Sequence, residues 1–437
     1  MKKTTFFLLL VILPISSSYQ QLFAQWATYE LTELNTYPFD CFFINENTGW
    51  AGGAGLKVHF TSNAGVNWTL ISAPGSSDRI ETLFFVSSNT GWAGTFGGYV
   101  RKTTNGGYSW SQTAVVTNKN VLDIFFIDTN NGWLTGEDGL CKKTTDGGVN
   151  WYSAAGFFPE TGYSIYFINS QTGFAVGINN MAKSTNSGNN WQVIQKNGFY
   201  LYSINFLNQQ TGWIVGSKVY FGSASGLYIM KTTDSGNNWN VICSDTATYG
   251  FHTIPTDAKF INENTGYFVG RSAFAPPPSS AHGIMRKSTN GGVSWSSVPG
   301  FYNDYSVESL CFVNSQTGFA VGLHSGYGVI YKTTNAIGIN NIASEIPKSF
   351  SLSQNYPNPF NPSTNIKFDI PAGSSVAQTF LSVYNVLGEQ VAVLVNQNLQ
   401  PGTYEVNWNA ADFPSGIYFY TLKSGDYTET RKMILLK

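Results

Sequence analysis

The chain has 437 residues, with 24 Lys and Arg against 25 Asp and Glu, a net charge of −1. No basic excess is available to neutralise phosphates, which excludes a general nucleic-acid binder as a class. Charged residues are 11%, aromatics 16%, and 45 residues are Gly, so long charged helices and disorder are excluded and extracellular β structure is expected.

The N-terminus reads as a secretory signal. Lys2 and Lys3 precede an apolar run from Phe6 to Ile15, and a polar stretch reaches Ala24. That run falls short of the roughly 20 residues a bilayer demands. Residues 1–24 are expected to be removed, and no later segment is apolar enough to span a membrane. Cys41, Cys141, Cys243 and Cys311 show no close spacing, so they read as buried free thiols, with no metal site and no cofactor.

Self-comparison then finds a turn of the form Asn/Gln-Thr-Gly-aromatic, with Asn once in place of Thr. Its glycines are Gly49, Gly91, Gly132, Gly173, Gly212, Gly266 and Gly318, each after an apolar strand such as Thr82–Val86. The spacing is roughly 40 to 50 residues, the length of a propeller blade. A second pattern, Ser/Thr-x-Asp/Asn-x-Gly-x-x-Trp, ends at Trp68, Trp110, Trp151, Trp191, Trp239 and Trp295. It reads as a hairpin whose Asp or Asn accepts backbone N–H bonds and whose Gly takes positive φ. The pattern resembles the Asp-box of sialidases, sortilin-type receptors and related propellers.

The seventh copy, from Thr333 to Ala336, has no Trp. Trp26 stands where an outer-strand Trp belongs, so a strand at about residues 25–30 is expected to complete the last unit and close a ring of seven blades. Closure would remove an exposed sheet edge. Three stretches exceed the repeat: 217–226, 244–255 and 271–283. Alternation of turns puts all three on one face, in repeats five and six, and binding surfaces usually arise on such loops.

On that face the candidate binding residues are Phe221, Tyr228, Tyr249, Phe251, His252, Arg271, Phe274, His282 and His324, aromatics for stacking and histidines for polar contact. No catalytic residue is assigned. Asp245, Asp257 and Asp304 are the acids a glycoside hydrolase would draw on. Box acids Asp146 and Asp234 are poor candidates, because four sibling boxes carry Asn there. Arg79, Arg101, Arg271 and Arg286 are the propeller's arginines, and the Phe-Arg-Ile-Pro signature of sialidases is missing. The Thr-Gly-Trp turns and boxes also resemble the photosystem II assembly-factor family, seven-bladed non-enzymatic propellers with an arginine-rich face. That resemblance implies the architecture and leaves the partner open.

A polar connector, 339–347, leads to 348–437. There Asn355-Tyr-Pro-Asn-Pro-Phe-Asn-Pro is followed by six strand-like segments, which describes a small Ig-like β-sandwich. With Val383–Val391, Gly402–Trp408 and Lys432–Lys437, this region closely resembles the type A C-terminal sorting domain of type IX secretion. The resemblance implies a partner, the type IX machinery, and a place on the surface of a Gram-negative bacterium or outside it. The expectation is an all-β binding protein: propeller over 25–338, sandwich after it, and a protein or polysaccharide ligand held without catalysis. The rival expectation is a glycoside hydrolase.

Overall fold

The computed structural model describes residues 26–436 except 32–36, 73–77, 116–117, 221–222, 245–250, 275–281, 299–303, 325, 335, 337–338, 342–345, 372–377 and 411–412. The expected signal segment, 1–24, lies outside the described residues. All regular structure within them is β.

Each repeat starts with an inner strand that ends in Phe: Pro38–Phe43, Ile80–Phe85, Val121–Phe126, Gly162–Phe167, the end of Gln192–Phe206, Phe251–Phe260 and Asp304–Phe312. Each inner strand touches the next, and the last returns to the first. The sheets therefore stand around one axis. Five of them have four strands; the sixth has six, because Gly173–Ser184 and Gln192–Phe206 each run through two strand positions and join the fourth and fifth repeats.

The glycine of each Thr-Gly-aromatic turn is explained by crowding. A Cβ on Gly132 would come within 2.4 Å of the Phe126 ring, and Gly49, Gly91 and Gly318 meet Phe43, Phe85 and Phe312 in the same way. The aromatic that follows is pressed flat on the equivalent Phe of the next repeat, across the repeat boundary. Trp50 stacks on Phe85 at 3.7 Å, Trp92 on Phe126 at 3.6 Å and Trp213 on Phe260 at 4.0 Å.

The boxes complete the joint. In the third, the Thr144 hydroxyl accepts from Gly148 N at 2.9 Å and donates to Asp146 Oδ1 at 2.8 Å, which also accepts from Asn150 N at 2.9 Å. Ala64 and Gly65 show the two successive positive φ values the hairpin needs, 60° and 75°. The next link is between repeats. Indole Nε1 of Trp50, Trp92, Trp133 and Trp213 donates to a box carbonyl of the following repeat, at Gly106, Gly147, Ser187 and Gly291, over 2.8–2.9 Å. Tyr267 makes the same bond through its hydroxyl, to Ala336 in the degenerate seventh box. That box keeps its carbonyl although it lost its Trp.

The N-terminal strand is Ala27–Leu31 and pairs antiparallel with Tyr327–Thr333, from Ala27 opposite Lys332 to Leu31 opposite Gly328. Trp26 meets Phe312 edge-on at 6.2 Å, as Trp68 meets Phe43 at 5.8 Å. It fills the place of the missing box Trp.

The C-terminal region holds two four-stranded sheets. Its core gathers Phe360, Ile366, Phe368, Trp408, Tyr420 and Leu435. One strand was not expected. Ile339–Asn341, in the segment read as a connector, pairs with Tyr404–Val406. A polar Asn-Asn strand at a sheet edge carries little apolar signal, so its pairing was hidden in the sequence. The start of the expected connector is part of the second domain's sheet. Asn355, at the head of the proline-rich start, is buried; its amide donates to Thr364 Oγ1 at 2.9 Å and its N–H to the Tyr420 hydroxyl at 2.8 Å.

Candidate functional site

Every inner strand carries a β-bulge at one place. The register shifts between Pro38 and Asp40, Ile80 and Thr82, Val121 and Asp123, Gly162 and Ser164, Leu201 and Ser203, Pro255 and Asp257, and Val307 and Ser309. A bulge re-aims a side chain. Here it turns two successive side chains towards the axis, and a third follows two residues later. The result is a cavity of about 430 Å³ lined by all the inner strands.

Three rings line it. The bulged residues are Phe39, Glu81, Leu122, Tyr163, Tyr202, Thr256 and Glu308, at the end where the chain enters each inner strand. Next come Asp40, Thr82, Asp123, Ser164, Ser203, Asp257 and Ser309. Deepest are Phe42, Phe84, Phe125 and Tyr166 on one side, with Asn205, Lys259 and Cys311 on the other. The aromatic arc is continuous, with successive ring centroids 5.1–5.3 Å apart.

The middle ring ties repeats together. Asp40 accepts from Leu83 N in the next repeat at 2.7 Å and from the Ser309 hydroxyl in the last at 2.7 Å. Asp123 accepts from Ile165 N at 2.8 Å and Ser164 Oγ at 2.9 Å. Asp257 accepts from Ser203 Oγ, Ala258 N, Lys259 Nζ and Leu310 N, at 2.9, 2.8, 2.9 and 3.0 Å. These carboxylates are structural.

Burial sets their charge. It pushes Asp40 up to about 6 and Asp123 up to about 7, against their hydrogen bonds. Burial pulls the Lys259 ammonium down, but Asp257 first, then Asp123 and Asp40, hold it above its ordinary value. A carboxyl raised in the folded state gives stability that is present below its unfolded value of about 4 and lost as pH rises through its folded value. Asp123→Asn should therefore gain on the wild type in thermal midpoint as pH goes from 4 to 8. Parallel midpoint curves for the two proteins would contradict this.

The residues expected from sequence are distributed as follows. Phe221 and Tyr249 lie outside the described residues. Tyr228 is 6% exposed and its ring lies 4.1 Å from that of Phe199, so it belongs to the core and offers no free face. Its alternation within a strand, Ser223–Thr232, turns it inwards. The stretches read as loops are largely hairpin extensions: Tyr220 pairs with Ser223, and Ser272 with His282. Phe251 and Phe274 stand opposite each other in register, and His252 opposite Ala273. Arg271 is exposed, in the long hairpin, opposite Ile254 on one side and Gly283 on the other. His282 and His324 are half-buried, in different repeats. Among the described residues no group of three His, Cys, Asp or Glu could hold a metal ion.

Of the acids, Asp257 is in an inner strand and not in a loop, Asp304 pairs in register with His324, and Asp245 lies outside the described residues. Asp146 is fixed in its box, where the Asn150 N–H first of all holds its carboxyl below the usual range. The sequence reading missed the axial rings. Their signal was present as Asp, Ser or Thr three residues before each inner-strand Phe.

Two family models match parts of the chain. Residues 354–436 match the secretion system C-terminal sorting domain, and residues 104–198 the photosynthesis system II assembly factor YCF48. The chain is a β-propeller carrying a type IX secretion sorting domain. The sorting domain marks it as a secreted or cell-surface protein.

Solved structures agree on the propeller. One described as YCF48 bound to D1 peptide is 18% identical with a TM-score of 0.54, covering 71% of this chain and 97% of that one. YCF48 from Cyanidioschyzon merolae is 17% identical with a TM-score of 0.54, over 70% and 98%. The WD40 propeller domain of Doa1 is 9% identical with a TM-score of 0.53, over 71% and 97%. No curated protein matches the chain at a significant level. Among the described residues, no helix of this propeller protein is long and apolar enough to cross a membrane.

Proposed function

We propose that this is an exported binding protein: a seven-bladed propeller over 25–338 followed by an Ig-like sandwich that engages the type IX machinery. The propeller binds a protein or polysaccharide, without catalysis, on the face that carries the long hairpins of repeats five and six and His324 of repeat seven. One observation carries this reading. The bulged residues of the axial cavity, Tyr202 among them, lie at the strand ends on that same face, where a long hairpin carries Arg271. The propeller seen with a peptide bound supports a polypeptide as one kind of ligand.

The glycoside hydrolase reading has less support. It needs two carboxyls free to exchange protons across a sugar, and Asp257 is occupied by four donors. The test uses the chain without its leader on a panel of polysaccharides and cell-surface proteins, scoring retention and released sugar. Retention without release is expected, and it should be lost when residues 272–282 are replaced by a two-residue turn. Released oligosaccharide would overturn the non-catalytic reading, and retention indifferent to the hairpin would remove it from the site.

A further inference from the structure

The mouth of the axial cavity has a chemistry of its own. Glu81 and Glu308 come from the repeats on either side of the first, with Phe39 between them. On the far side of the ring Tyr163 and Tyr202 stand with centroids 5.0 Å apart. Behind this mouth lie Asp40, Asp123 and Asp257, and the cation facing them is Lys259. The lining thus holds five carboxyl groups, of which Asp40 and Asp123 are partly protonated at neutral pH because burial raises them, against one ammonium, with aromatic faces on the wall. The protein's own cations already use this pairing. Arg79 stacks on Phe39 and Phe96, at 4.9 and 4.3 Å, while it bonds to Glu81, and Lys259 lies on Asp257 at 2.9 Å.

We propose that the axial mouth receives a basic side chain, Lys or Arg, presented by a protein partner. A cation desolvated over aromatic faces and met by carboxylates gains from both, whereas an anion would meet the lining charge. The volume of about 430 Å³ lies within the roughly 300–1,000 Å³ of enclosed ligand sites, so an extended side chain enters without opening the ring. Glu308 is the principal partner, since Glu81 is shared with Arg79. This proposal rests on the reading that this face binds a ligand, and it names the partner class.

The test is titration of the full chain with fluorescent capped pentapeptides of sequence Gly-Gly-X-Gly-Gly, where X is Lys, Arg or norleucine. The Lys and Arg peptides should bind, weaken with added salt, and bind at least tenfold better than the norleucine peptide. Glu308→Gln and Tyr202→Ala should each lower that affinity about tenfold, with thermal midpoints read alongside to confirm folding. If one variant fails to fold, the other carries the test. Equal binding of norleucine and lysine peptides, or unchanged affinity in both folded variants, overturns the proposal. If the basic peptides do not bind while a polysaccharide or surface protein is still retained through the 272–282 hairpin, the basic-ligand proposal falls and the binding reading survives. If retention also fails, both fall.

Discussion

Trp213→Ala should cost about 3–5 kcal/mol of stability, the usual range for emptying a buried Trp site. The ring is fully buried, stacked on Phe260 at 4.0 Å, and its Nε1 donates to Gly291 O in the next repeat at 2.9 Å. Lys231 Nζ lies 4.9 Å from the ring centroid. Truncation therefore removes a packing contact, a hydrogen bond and a cation–π contact at one joint. The repeats supply a control. Phe174 and Phe319 occupy the matching position without any indole N–H. Trp213→Phe should accordingly lose only about 1 kcal/mol, near the net value of one hydrogen bond. Chemical denaturation of both variants checks the pair, and equal losses would show that stacking is not the main term.

The second large effect is expected at Asp257. Asp257→Ala leaves Leu310 N, Ser203 Oγ and the Lys259 ammonium without their acceptor. A buried N–H left alone costs about 1–3 kcal/mol, and a stranded charge adds to that. The Lys259 side chain is 37% exposed, on the cavity, so solvent screens part of its loss. A total of about 2–4 kcal/mol follows. Asp257→Asn keeps an acceptor for Leu310 N and should cost less. Lys259→Met in the Asp257→Ala background should recover part of the loss, because the stranded ammonium is gone. Failure of that rescue in a denaturation double-mutant cycle would mean that the ion pair contributes little beside the hydrogen bonds.

These two sites differ in how readable they were. The Trp joint follows from short local patterns: a Thr-Gly-Trp turn needs Gly because a Phe ring lies on it, and the box repeats with its spacing intact. Trp26 could be assigned to the last unit by its distance from Gly49 alone. Asp257 was grouped with the acids a hydrolase would draw on, because the hairpin extension hides that it lies inside an inner strand, Phe251–Phe260, and not on the binding face. The axial rings depend on a bulge, a feature of register and not of composition. Only the paired strands show that Glu81 and Tyr202 face the same space as Asp40. Tyr228 shows the opposite error. An aromatic in an extended segment looks available until the strand's alternation turns it inwards.

The partner of the first strand is nearly the last strand of the propeller. Ala27–Leu31 can find Tyr327–Thr333 only after everything between has emerged. Contacts this distant in sequence form late and slowly. Until Tyr327–Thr333 is available the leading strand stays open-edged, and the ring is not circular. A chain cut short anywhere before Thr333 keeps an unpaired edge and an open axis. Circularity thus reports that the chain runs through Thr333, so a closed axial mouth exists only on molecules that carry both ends of the propeller.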